Sequence, residues 1–231
     1  MAKFLFVMTG ADHWTLADGT EHPTGYWAEE FVAPYEAFTG AGHQIVVATP
    51  GGVVPPVDTG SLEAEVNGGA AGAQRVREVI EGAKELHDPV RLEDVDLAEF
   101  DAVYYPGGHG PMEDLAVNKD SGALLNAALS SGKPLAVVCH APAALLATTG
   151  DAGVSPFAGY RLTGFSNAEE SQAGLADKAK WLLEDRLVAL GADYTSGEPW
   201  APHVVTDRNL FTGQNPASSA PLAAAVLKAL A

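Results

Sequence analysis

Cysteine is almost missing from this chain: its 231 residues include one, Cys139. A single thiol closes no internal disulfide, so the core must hold the fold, and a reducing compartment, the cytoplasm, is expected. Bases are scarce as well. Lys and Arg number 13 against 30 Asp and Glu, a formal charge of −17. A surface of that sign repels phosphate backbones and anionic lipid, so neither nucleic acid nor a membrane is expected as a partner, and a neutral substrate suits it better. Long apolar runs are missing too. The N-terminal stretch Met1-Ala2-Lys3-Phe4-Leu5-Phe6-Val7-Met8 breaks at Thr9-Gly10-Ala11-Asp12. It is too short for a signal-peptide core or a membrane span and reads as a first strand. No G-x-G-x-x-G follows that strand, and no P-loop or G-x-S-x-G occurs, which disfavours dinucleotide binding, nucleotide hydrolysis and serine-hydrolase chemistry.

What is present is an ordinary globular composition, 47% hydrophobic and 19% charged, with enough length for one sizeable core. Strands are expected at residues 3–9, 43–49, 101–105 and 135–138, a short one at 159–163, and late or edge strands at 204–206 and 210–212. Helices are expected at 26–39, 73–86, 119–131, 175–190 and 217–230. The first carries Trp27, Phe31, Tyr35 and Phe38 at helical spacing, with Pro34 inside, where a kink or split is expected. Residues 10–24, 59–72 and 164–170 read as loops. This alternation predicts a single α/β domain over residues 1–231, in three layers with a mostly parallel sheet.

The chain is organised around Leu135-Ala136-Val137-Val138-Cys139-His140-Ala141-Pro142. An apolar strand runs into the lone thiol, a histidine follows, and a helix-like run begins at Ala143. A side chain on such a turn faces the first free N–H groups of the helix, whose dipole favours a thiolate. The stretch is a nucleophile-elbow candidate with sulfur in place of a serine hydroxyl. Taken alone, a cysteine ending an apolar strand is ordinarily just a small buried residue. Two other places follow strands or begin the next helix, Glu30 and the Gly107-Gly108 turn. In a parallel sheet these three meet at the carboxyl edge. There Glu30 can partner a thiolate, and backbone N–H groups near Gly108 and His140 can receive an oxyanion. Glu30 reads equally well as a solvated first-turn charge, and Pro-Gly-Gly as a plain turn. Tyr26, Trp27 and Trp14 are candidates for pocket walls or ordinary core. His13, His22, His109 and His203 match no metal-ligand spacing, so no metal is expected.

Several blocks together resemble the ThiJ/PfpI superfamily, in the branch of the glutathione-independent glyoxalases (glyoxalase III) and related heat-shock chaperones. They are Thr24-Gly25 with Glu30 and Pro34-Tyr35; Pro106-Gly107-Gly108-His109-Gly110 with Asp114-Leu115; Ala136 to Pro142; Thr163 to Glu170; and Trp200, Val205-Thr206-Asp207 and Thr212 to Ser219. The resemblance implies a flavodoxin-like, class I glutamine amidotransferase-like sandwich, usually a homodimer. It makes Cys139 the nucleophile, His140 its neighbouring base, Glu30 a protonated acid beside the thiolate, and Glu170 the acid that orients the histidine, with Glu169 one residue off. It gives Gly107, Gly108 and the His140 backbone to substrate and oxyanion. It implies conversion of methylglyoxal or a similar 2-oxoaldehyde to the 2-hydroxy acid through a hemithioacetal on Cys139, with no cofactor. The alternatives on the same fold are a stress-related holding chaperone, another thiol hydrolase or deglycase, and a redox sensor. A glutamine amidotransferase is disfavoured, because its histidine lies far from the cysteine in sequence. One departure is Ala141, where many relatives have glycine.

Overall fold

The structure, a computed structural model, describes residues 1–148 and 153–231. Strands β1 (Lys3–Val7), β4 (Gln44–Thr49), β6 (Ala102–Tyr105) and β7 (Leu135–Val138) are rich in Val, Leu, Phe and Tyr. Between β1 and β4 come a hairpin, β2 (His13–Thr15) with β3 (Glu21–Pro23), and helix α1 (Ala28–Gly40). Helices α2 (Ala70–Gly82) and α3 (Lys84–His87) and the short β5 (Val90–Arg91) lead to β6. Helices α4 (Gly110–Glu113) and α5 (Lys119–Ser131) lead on to β7. A 3-10 segment, Ala141–Ala147, follows β7. Then come β8 (Arg161–Leu162), α6 (Asn167–Gln172), α7 (Leu183–Ala189), β9 (Asp193–Tyr194), β10 (Val204–Asp207), β11 (Leu210–Gly213) and α8 (Ser219–Leu230).

Seven strands form one sheet in the order β10-β11-β7-β6-β1-β4-β5. Its pairs are parallel except β10 with β11. Strands β6, β7 and β11 are buried along their whole length, as continuous apolar strands covered on both faces must be. On the helical layers, α1 packs on α2 and α8, while α5 packs on the 3-10 segment, which also meets α4 and α7. This is a flavodoxin-like arrangement. The chain steps from β1 to β4 on one side and to β6 on the other, so the strand order switches at β1 and leaves a crevice at the carboxyl ends. Among the described residues no helix is long and apolar enough to cross a membrane.

Several elements differ from the sequence reading. Residues 10–24 contain the β2–β3 hairpin, with Trp14 opposite His22. Helix α1 runs through Pro34 without a break. Pro34 has no N–H for the Glu30 carbonyl four residues back; the Tyr104 hydroxyl donates to that carbonyl instead, at 3.2 Å. Of the helix expected over 175–190, only Leu183–Ala189 forms. The loop expected over 164–170 ends in helix α6, whose Ser166 cap accepts from Glu169 N while Glu169 Oε2 accepts from Ser166 N. The S-x-x-E spacing of that capping box was visible in the sequence. The run after Cys139 is a seven-residue 3-10 segment rather than an α-helix, so an α-helical macrodipole is not what acts on the thiol.

Candidate active site

Cys139 is the residue on which the turn pivots. Its φ is +60°, the left-handed region that a residue with a Cβ rarely enters, at a cost of about 1–3 kcal/mol. Two backbone bonds hold it there. Cys139 N–H donates to Gly213 O at 2.9 Å, and Cys139 O accepts from Phe165 N at 2.8 Å. The end of β11 and the loop before α6 therefore aim the sulfur. Ala141 keeps a negative φ inside the 3-10 segment, so a glycine there is not needed.

Glu30, in the first turn of α1, is fully buried. Its Oε2 accepts from Gly107 N–H at 2.7 Å, and its Oε1 is buried without a hydrogen-bond partner. The carboxyl and the Cys139 thiol perturb each other. Burial pushes the Glu30 carboxyl up to about 8, against the opposing pull of the thiol and the Gly107 N–H. Burial and the facing carboxyl push the thiol up as well, opposed by the Gly108 N–H. Two buried groups that repel as anions do not both give up their protons, so one proton stays with the pair when either ionises. Placed on Glu30, that proton removes the charge opposing a thiolate and supplies a donor for it.

The two glycines explain the tight packing. A Cβ on Gly107 would lie 2.7 Å from Glu30 Oε2 and 2.8 Å from His140 N. Gly108 has φ +92°, and its Cβ would lie 2.6 Å from Trp27 N. The Gly107 N–H is committed to Glu30, so of the pair only Gly108 turns its N–H to the sulfur.

On the other side, His140 Nδ1 lies 3.3 Å from Cys139 Sγ, and His140 Nε2 lies 2.8 Å from Glu170 Oε2. Burial, then the charge of His109, hold His140 down to about 4, against the pull of Glu170. Burial alone would raise Glu170, but His140 and His109 draw it well below the usual carboxylate range. Glu169, its neighbour, points elsewhere. It accepts from Ser166, Gln214, Asn215 and the Trp200 N–H, and so ties three loops together.

The sequence reading weighed His109 only as a metal ligand. In the structure His109 Nε2 lies 2.9 Å from Glu170 Oε1. His109, His140 and Glu170 place one nitrogen or oxygen each within 4.8 Å of one another, and as arranged they satisfy one another by hydrogen bonds. Trp14 and Tyr26 are buried, Tyr26 against Phe31. Trp27 lines a cleft of about 430 Å³ with Trp200, Asn215 and Val66. That cleft is tied to the turn by Trp27 N–H on Gly107 O and by Phe165, whose ring touches those of Trp200 and His140. The thiol itself is 3% exposed.

The pattern of the DJ-1/PfpI family matches residues 23–229. The chain belongs to the DJ-1/PfpI family. Within that family it is 25% identical over 222 residues to the protein/nucleic acid deglycase HchA of Staphylococcus aureus, covering 94% of this chain and 76% of that one. It is 36% identical over 138 residues to glutamine amidotransferase-like class 1 domain-containing protein 1 of Homo sapiens. That match spans 60% of this chain and 63% of the human protein's length. The crystal structure of glyoxalase III from Candida albicans superposes with a TM-score of 0.86 at 25% identity, covering 99% of this chain and 97% of the other.

Proposed function

We propose that this DJ-1/PfpI protein is a thiol-dependent glyoxalase that converts methylglyoxal or a similar small 2-oxoaldehyde to the 2-hydroxy acid. The carrying observation is the buried Cys139 thiol set between a carboxyl raised to about 8 and an imidazole whose Nδ1 lies 3.3 Å from the sulfur. With the shared proton on Glu30, the thiolate attacks the aldehyde carbon. The carbonyl electrons move to oxygen, which the Gly108 and His140 N–H groups receive, and Glu30 protonates it. Neutral His140 takes the proton from the sulfur-bearing carbon, forming an enediol. Return of that proton to the neighbouring carbon, with shift of the hydroxyl proton, gives a thioester. Water adds, the C–S bond breaks, sulfur and Glu30 again share one proton, and lactate leaves with one proton lost to solvent. The protein thiol does the work of glutathione, and the site acts within a cytoplasmic homodimer.

A deglycase reading rests on a separate observation. The cleft between Trp27 and Trp200 is larger than a three-carbon aldehyde needs, and a deglycase is among the relatives. Incubation of the reduced protein with methylglyoxal in the absence of glutathione tests the proposal. Lactate is expected, and Cys139→Ser should lower its formation by at least about 10³-fold with the fold retained. Full activity in that variant, or no lactate from the reduced protein, overturns it. Release of free amine from a methylglyoxal-treated lysine without lactate production from free methylglyoxal selects the deglycase.

A further inference from the structure

The turn after β6 places one more imidazole against the site than a cysteine–histidine–acid chain requires. His109 and His140 take one oxygen each of the same buried carboxylate, at 2.9 and 2.8 Å. A carboxylate only accepts, so each ring presents an Nε2–H to it. In His140 this leaves the Nδ1 lone pair facing the sulfur, the tautomer a base needs. Of the groups in this chain, Cys139, Glu30, His140 and Glu170 are buried, whereas the His109 side chain is 11% exposed.

His109 is itself built in. Its ring stacks on Trp14 at 5.0 Å and 17°, and lies 4.0 Å from the His140 ring. Trp14 comes from the β2–β3 hairpin, which is pinned where Thr15 N and Oγ1 donate to Glu113 of α4 at 2.8 and 2.9 Å. His22 of β3 meets the His109 ring edge-on at 6.1 Å. The titratable groups facing His109 are thus Glu170, His140 and His22; those facing His140 are Cys139, Glu170, Glu169 and His109.

We propose that His109 is a positioning residue for the glyoxalase reaction. By holding the second oxygen of Glu170, it keeps that carboxylate from turning away from His140, and beside His140 it extends to lower pH the range over which that ring is a neutral base. The inference rests on the function proposed above only for the role of His140; the geometry is independent of it. Burial is the first reason His140 is held low and the charge of His109 the second. Removing His109 removes a like charge from His140 and frees Glu170 to interact with it alone. Both changes favour the protonated ring.

The test compares the wild type with His109→Phe, which fills the space without a donor, and His109→Gln, which keeps an N–H for Glu170. The titration of His140 is followed by NMR on protein with labelled histidine, alongside the pH profile of lactate formation. In His109→Phe the His140 titration and the acid limb of the rate should both move up by about one pH unit, with kcat reduced about 10-fold or more. His109→Gln should restore most of kcat and still shift the titration. An unchanged His140 titration and acid limb in both folded variants overturns the proposal, because a space-filling role would move neither. A shifted titration in a protein that makes no lactate supports the role of His109 and sinks the glyoxalase reading. Lactate formation with no shift does the reverse.

Discussion

Glu30 and Glu170 flank the same Cys139–His140 turn, and both are buried, yet one holds its proton and the other cannot. Around Glu30 the partners are one backbone N–H and a thiol, and their pull on the carboxyl is too weak to offset the loss of solvation. Around Glu170 two imidazole N–H groups meet the two oxygens, and the anion is kept despite burial. The difference lies in the neighbours, because the residue type is the same. The same comparison assigns opposite signs to stability. Glu30 has a folded value above its ordinary 4.5, so the folded state binds the extra proton and loses stability as pH rises from there to about 8, on the order of 5 kcal/mol in all. Glu170 has a folded value below its ordinary one. Its contribution is present above the ordinary carboxylate range and is lost only in strong acid.

Four substitutions would break or sharpen this contrast. Glu170→Gln should have the largest effect, because an amide cannot accept from both histidines. Lactate formation should fall by about 10³-fold and the melting temperature at pH 8 should drop. Glu30→Gln should lower the rate by about 10²-fold, through loss of a transferable proton. It should raise the melting temperature progressively between about pH 4.5 and 8 and by no more above that; equal falls in stability for both variants would show that Glu30 is an anion. Glu169→Gln should cost about 3 kcal/mol in denaturant melts, since one of its oxygens becomes a donor among donors, while the rate per folded molecule falls less than about 10-fold. A rate loss as deep as that of Glu170→Gln would exchange the roles of the two neighbours. Ala141→Gly should be nearly silent, within about 1 kcal/mol and with the rate unchanged, because the left-handed position is Cys139.

The sheet was legible because its strands are short apolar runs at the spacing of β/α units. Helix 119–131 was read with its observed ends, since Asn118 caps it and Gly132 stops it in a left-handed conformation. The grouping of Glu30, Gly107-Gly108 and Cys139-His140 at one sheet edge followed from each lying just past a strand or at the start of the helix after one. Other features depended on tertiary contacts. The β2–β3 hairpin is held by Glu113 and by the stack of Trp14 on His109, partners about a hundred residues away. Residues 175–182 carry an apolar pattern, yet they bond back to α6 through Leu175 and Ala176 on Glu170 O and do not form a helix. The choice between Glu169 and Glu170 was beyond pattern alone, because only the fold shows which one the histidine reaches.

Pro34 acts as a fastener. An intact helical ladder would occupy the Glu30 carbonyl and leave the Tyr104 hydroxyl stranded in the interior. The gap left by the imino acid instead bolts α1 to the middle of β6, one residue's peptide away from the carboxyl that faces the sulfur. The Glu30 backbone is thereby keyed to the strand paired with β7, whose end carries the sulfur.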